Sequence, residues 1–345
     1  LLLLAPLASS CGGAPKDAAA PVVIPEQAPA PPAPLARSDD AGAPEAAAPR
    51  ALPAGSNGPR DAVGMIGDAG KVFPDEATTV LLVNSAVMRA HPLGTRAMQL
   101  LTSVLVGWDQ FMPIDLVHPV RDLDWVLLAG TLVMGSTRNA VFVSRYNVPE
   151  AKADLVSAEL MKRLANGKKT KLGVAGVTSF TATVDGAERA YVRPKAGVLA
   201  IVPAADGKRT AELLATADVA TAPRPGELVR IAWPRASRAP LPVPRAVRAL
   251  RIWINGAAKD ELTIAAEGEC SDEAAALAAA DDLRSRLRAR APGFARAVLR
   301  PVIDDAAIWA DGNVVRYEAK LPEALLEMAA GLACMQATGK ADCTR

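Results

Sequence analysis

Along most of this chain, apolar residues recur either at helical spacing or in short unbroken runs of strand length. Thr78–Asn84 (TTVLLVN), Asp124–Gly130 (DWVLLAG) and Asn139–Tyr146 (NAVFVSRY) are runs of the second kind, and each predicts a strand. Ser85 offers an N-cap for a helical stretch. Within that stretch Ala97, Leu100, Leu101, Val104 and Leu105 repeat at helical intervals until Trp108, Phe111, Met112 and a closing Pro113. Pro149 opens a second helix with the stripe Val156, Leu160 and Leu164, ending at Gly167. Gly176–Val184, Arg189–Arg193 and Gly197–Pro203 predict a strand meander turning at Asp185-Gly186 and Pro194-Lys195, and Asp206–Asp218 a short helix. Gly226–Trp233, Val247–Ile254 and Glu261–Gly268 predict three more strands. The clearest helix follows Ser271-Asp272-Glu273. Acidic residues fill its first turn and arginines its last turns, as the helix dipole favours, and its core face is Ala276, Ala280, Leu283 and Leu287. A helix at Phe294–Val302, a hairpin joining Ala306–Ala310 to Val314–Leu321 through Asp311-Gly312, and a helix from Pro322 to Cys334 complete the pattern.

Residues 11–60 carry no such periodicity. They are rich in Ala and Pro and cannot bury enough surface to offset the entropy of ordering. The prolines bias them to polyproline II, a semi-stiff tether reaching at most about 150 Å at ~3.1 Å per residue. The folded part is read as a first half, 61–233, and a second half, 246–345, separated by the proline-rich crossing 234–245, PRASRAPLPVPR. The expected class is α+β, with antiparallel sheets and helices packed on one face. Asn139–Ala151 (NAVFVSRYNVPEA) and Asn313–Ala324 (NVVRYEAKLPEA) share a strand, an Arg-Tyr pair and a Pro-Glu-Ala helix start, and Trp125 and Trp309 precede them. This suggests two similar halves ordered strand, helix, strand, strand, helix.

The first eleven residues, LLLLAPLASSC, run from an apolar stretch into Ala8-Ser9-Ser10 and then Cys11. This stretch resembles the lipobox of bacterial lipoproteins, with Ala8 in the apolar slot. No basic region precedes Leu1, so residues 1–10 are read as a truncated signal peptide. The resemblance implies that Cys11 is lipidated and begins the mature protein. Three acyl chains then anchor it, where one alone holds only marginally. Gly12 in place of Asp points, by that family's sorting rule, to the outer membrane or cell surface. The folded part resembles only uncharacterised bacterial surface lipoproteins.

Composition narrows the function classes. The net charge of +2 over 345 residues draws the chain to neither nucleic acid nor acidic surfaces. Aromatics at 4 % argue against a carbohydrate-stacking platform or a single-strand nucleic-acid channel, both of which need exposed rings. No nucleophile elbow or zinc-protease motif occurs. Gly167-Lys168-Lys169-Thr170 lacks the first glycine of a phosphate loop, since Lys162 stands there, and reads as a helix C-cap and basic loop. Asp115 with His118 has the spacing of an acid–base pair, and Asp122 with Asp124 that of a cation site, but loop and strand-end charges explain both. Arg235, Arg238, Arg245, Arg248 and Arg251 concentrate cations at the crossing and form a candidate anion-binding set, for a headgroup or wall polymer. No cofactor or metal site is indicated. The expected partners are the membrane, through the N-terminal lipid, and an envelope protein or lipid. The leading reading is a non-catalytic binding or scaffold lipoprotein of the envelope. A carrier holding an apolar ligand between the two halves and an envelope hydrolase are the alternatives.

Of the four cysteines, Cys11 is assigned to lipid, and Cys334 and Cys343 close a short loop through Gly339. Outside the cytoplasm these two would pair, leaving Cys270 as a buried thiol at a strand end; pairing of Cys270 with either is the alternative. Peptide mapping without reductant should recover Cys334 joined to Cys343, and a free thiol at either position would refute the pairing.

Overall fold

A computed structural model describes residues 60–74, 77, 79–94, 97, 108–130, 140–194, 197–239, 241–258, 261–289 and 294–328. Cys11, Cys334 and Cys343, with most of the predicted helix after Pro92, lie outside them. No helix among the described residues is long and apolar enough to cross a membrane.

The class is α+β, and the strands form one antiparallel sheet. In chain order they are β1 (Thr79–Val83), β2 (Leu123–Gly130), β3 (Val141–Tyr146), β4 (Ala165–Lys169), β5 (Thr178–Val184), β6 (Ala187–Arg193), β7 (Val198–Pro203), β8 (Glu227–Trp233), β9 (Ala249–Ala258), β10 (Glu261–Glu269), β11 (Ala307–Asp311) and β12 (Val314–Leu321). Across the sheet the order is β11-β12-β10-β9-β8-β1-β2-β3-β7-β6-β5-β4. The helices are α1 (Arg60–Ile66), α2 (Ser85–Ala90), α3 (Trp108–Phe111), α4 (Glu150–Arg163), α5 (Gly207–Thr216), α6 (Glu273–Ala289) and α7 (Phe294–Ile303).

Most predicted elements fall where the hydrophobic pattern put them. Two elements are not among those it predicts: α1, which the pattern does not mark, and Ala165–Lys169, where the helix from Pro149 is expected to run to Gly167 and Gly167–Thr170 to form a C-cap and basic loop. The second of these differs most. It is the edge strand β4, with Lys169 opposite Phe180. Pairing with β5 overrides the weak strand preference of ANGKK, and Asn166 takes a positive φ of 55° beside the bulge. Its exposed lysines suit an edge that must not recruit another chain.

The two halves do repeat, though with a different phase from the one the Arg-Tyr motif suggested. β1-β2-β3 is a meander, α4 follows it, and β7 returns to pair with β3, with β6 beyond. β8-β9-β10 is likewise a meander, α6 follows it, and β12 returns to pair with β10, with β11 beyond. The strand equivalent to β3 is therefore β10, and β12 answers to β7. The shared Arg-Tyr and Pro-Glu-Ala segments sit on non-equivalent strands, where strand-to-helix junction chemistry alone accounts for the likeness. β8 opens the second unit, so the repeat divides before Glu227 instead of at the proline-rich crossing.

The units meet through β1 and β8, which pair directly with Leu81 opposite Ile231. Successive residues of β1 point to opposite faces, and they feed two separate cores. Leu81 and Val83 join the larger one with Phe142, Leu160, Ala280 and Tyr317, under α4, α6 and α7. Val80 and Leu82 join the smaller one with Ile66, Trp125 and Leu214, under α1 and α5. Helices therefore lie on both faces of the first unit and not on one face throughout. Aromatic contacts order the large core: Phe111 lies 4.4 Å from Phe142, and Phe180 stacks on Tyr191 at 4.4 Å. The Tyr191 hydroxyl donates to the Phe111 carbonyl at 2.8 Å. In the small core the Trp125 indole donates to the Ala220 carbonyl at 3.0 Å.

Leu82 is fully buried at the strand that joins the units. Leu82→Ala should cost about 3 kcal/mol in guanidinium unfolding. Tryptophan fluorescence and far-ultraviolet dichroism should keep following one common transition. Two separated transitions would show that the halves fold independently.

Candidate functional site

Three places were marked by the sequence, and the structure gives each a different fate. Asp115 and His118 do not pair. The Asp115 carboxylate accepts from Arg163 at 2.5 Å, and His118 Nδ1 accepts the Val120 and Arg121 amides at 3.2 Å each. Asp124 faces Arg89 at 3.1 Å and Arg145 at 3.7 Å, and Asp122 faces Arg121 at 2.7 Å and Lys152 at 3.5 Å. The two aspartates thus answer separate cations. The arginines of the crossing divide as well. Arg235, Arg238, Arg245 and Arg248 are exposed around a loop closed by the Ala236 amide donating to the Arg248 carbonyl at 2.6 Å. Arg251 lies inside β9, buried, with the Glu269 carboxylate at 4.0 Å. Cys270 is a buried thiol just past β10, and burial and the nearby Asp272 hold its pKa up.

A crevice opens beneath α4. Its floor is apolar, from Leu123, Val156, Leu160 and Leu199, and Asp122 and Arg193 stand at its edge; it measures about 460 Å3 with its open mouth included. It belongs to the first unit alone. A cleft between halves, as the carrier reading requires, does not divide the sheet, because β1 and β8 are neighbouring strands.

The informative site emerges when the two units are overlaid by register. One row across the first unit reads Leu82, Leu127, Val143, Ala200 and Val192. All five belong to the small core, and α1 and α5 cover that face. The equivalent row of the second unit reads Ala232, Arg251, Glu267, Arg316 and Trp309. The neighbouring row changes likewise, from Val80 and Ala129 to Arg230 and Trp253. Among the described residues the small core extends no further than Ala232. The helical turn after β12 contributes Leu325 and Leu326 to the opposite face, where α5, after β7, had covered this one.

The polar residues on this face are organised. Arg316 donates to Glu267 through Nη1 and to Asp311 through Nε at 3.0 Å. The Arg230 guanidinium lies over the Trp253 ring at 4.6 Å and near Glu227 at 3.4 Å. Burial raises the Glu227 pKa against the opposing pull of Arg230 and Arg224. Trp253 is buried at the inner end, while Trp309 is half-buried and Glu318 and Lys320 are exposed at the outer strands. Of this face the sequence marks Arg251 as a candidate anion-binding residue, and Trp309 and the Arg316-Tyr317 pair only as landmarks of a repeat. A signal for the face is nonetheless present in β12, VVRYEAKL, where Arg316, Glu318 and Lys320 alternate with apolar residues.

No family model, curated protein or solved structure matches the chain.

Asp122 gives this region a measurable pH dependence. Burial pushes its carboxyl up, but hydrogen bonds from Arg121 and the His118 amide, with the charges of Arg121 and Lys152, pull it further down, to about 2. A depressed carboxylate contributes stability above its unfolded pKa and loses it as pH falls through the folded one. Asp122→Asn should therefore cost about 2 kcal/mol at neutral pH, and the gap should close between about pH 4 and about pH 2. Denaturant titrations across that range check it; an unchanged gap at the acid end would assign the loss to packing.

Proposed function

We propose that this chain is a lipid-anchored, non-catalytic binding protein of the bacterial envelope, and that it engages its partner through the polar face of the second unit. The observation that carries the binding part is the replacement of a helix-covered apolar row by Arg251, Glu267, Arg316 and Trp309 in a repeated sheet. Arg251 and Glu267 are buried at the inner end of that row, whereas Arg316 and Trp309 keep part of their surface and Glu318 and Lys320 are exposed on the outer strands, so a partner would meet the outer strands. Asp115, Asp122 and Asp124 are tied to arginines and a lysine, which suits a structural role for them. The anchoring part rests on Ala8-Ser9-Ser10-Cys11 and on the Ala/Pro-rich tether that follows. A tether of that length lifts the folded part clear of the lipid surface and leaves the face free to meet its partner.

Cys11→Ala should release the protein from washed membranes into the soluble fraction, with near-ultraviolet dichroism unchanged. Retention of the variant in the detergent-extractable fraction would overturn the lipid anchor.

A further inference from the structure

The crevice beneath α4 takes no part in the polar face, and its chemistry is of another kind. Leu116, Val117 and Val148 extend its apolar floor. Two of the four large apolar side chains left exposed among the described residues stand on the segments that wall it: Leu155, 72 % exposed, and Ile114, 41 % exposed. Leu155 lies on α4 beside Val156 and one turn from Lys152. Ile114 precedes Leu116 in a turn that the Asp115–Arg163 pair ties to α4. Apolar surface therefore continues from the floor to both walls. Three charged side chains line the crevice: Asp122, Lys152 and Arg193. Two of them are engaged. The Arg193 guanidinium meets Glu150 at 2.9 Å, the Ser157 hydroxyl at 3.2 Å, and Asp154. Asp122 accepts from Arg121 at 3.0 and 2.7 Å and from the His118 amide at 2.9 Å. Lys152 meets only Asp122 among the described residues, at 3.5 Å, and its side chain is 51 % exposed. An ammonium carries three donors, so Lys152 keeps donors for an arriving anion at the mouth. An alkylammonium head would be repelled there, and an uncharged head would leave Lys152 to water. The crevice, about 460 Å3 with its open mouth included, lies in the lower half of the range for ligand sites, roughly 300–1,000 Å3. That is room for one short hydrocarbon chain and not for the paired long chains of a phospholipid.

We propose that the crevice beneath α4 binds a medium-chain fatty acid, its carboxylate paired with Lys152 and its tail laid on Leu123, Leu160 and Leu199. The apolar ligand of the carrier reading is thus placed within the first unit instead of between the halves. The site is independent of the polar face of the second unit, and failure of either leaves the other standing.

The test uses the full chain carrying Cys11→Ala, which has no acyl chains of its own and needs no detergent to compete for the crevice. Octanoate is the probe and titration calorimetry at neutral pH the readout. Saturable one-to-one binding is expected, weakening about fourfold for each methylene removed from the tail. Octylamine should bind several-fold more weakly than octanoate. Lys152→Ala, at an exposed position, should weaken octanoate about three- to fivefold and leave octanol unchanged, a difference that a merely structural loss would not produce. Val156→Trp, at a half-buried lining position, should fill the crevice and abolish binding. Lys208→Ala, exposed on α5 over the opposite face, should change nothing. Absence of saturable octanoate binding, equal affinity for octanoate and octylamine, or a Val156→Trp variant of parental near-ultraviolet dichroism that still binds would overturn the proposal. So would a Lys152→Ala variant that binds octanoate as tightly as the parent, or that loses octanol and octanoate alike. Should Val156→Trp fail to fold, the Lys152→Ala comparison decides by itself.

Discussion

The hydrogen-bonded junction of β1 with β8 governs this molecule. Two copies of one strand-and-helix plan could have met through side chains and left a cleft. They meet instead through main chain, with Val80 to Val83 against Val229 to Ala232. A peptide ladder tolerates no gap, so the copies become one sheet with common faces. Each face must then be either covered by apolar side chains or made polar enough to meet water. The first unit takes the first course on both faces. The second takes it on one face and sets charged residues into the other, with Arg251 and Glu267 buried and Glu318 and Lys320 exposed.

That division was written in the strands, and it explains what could and could not be read from them. β1, β2 and β3 are nearly continuous apolar runs, TVLLV, LDWVLLAG and VFVSRY, the pattern of strands covered on both sides. β10 and β12, ELTIAAEGE and VVRYEAKL, alternate instead, the pattern of strands covered on one side. Strand positions were legible because these runs are bounded by turns and prolines. What the pattern did not convey was which strand lies beside which. The Arg-Tyr and Pro-Glu-Ala likeness paired β3 with β12, whereas register pairs β3 with β10. Short motifs report local junction chemistry, and strand order is set by contacts distant in sequence. β4 escaped for the same reason: ANGKK has no strand signature of its own and borrows its conformation from β5.

Candidate chemistry followed a similar rule. Asp115, Asp122 and Asp124 are close in sequence, yet apart from Arg121 beside Asp122 their counter-ions come from α4, α2 and β3, while His118 Nδ1 accepts only neighbouring amides. Sequence proximity invited an acid–base or cation site, and tertiary structure supplied counter-ions instead. The crossing arginines show the converse. Five cations spaced along one segment invited a single anion site, but the period of two inside β9 sends Arg251 to a sheet face where Glu267 and Glu269 flank it, while Arg248 stays in an exposed loop. A cluster in sequence becomes a cluster in space only when backbone geometry keeps its members on one side.

The same logic connects architecture to recognition. A duplicated sheet begins with two equivalent faces and needs only one apolar row per unit on the shared helix side to hold together. Once the first unit supplies a second core through Val80, Leu82 and Trp125, the corresponding row of the second unit is released from packing. Residues such as Arg316 and Trp309 can then be placed there without forfeiting a core contact, and the ladder beneath holds them in fixed positions. Binding groups carried on paired strands lose little freedom when a ligand arrives, so more of their interaction appears as affinity. Rigidity at the junction and a polar row on one face are thus two consequences of the same pairing of β1 with β8.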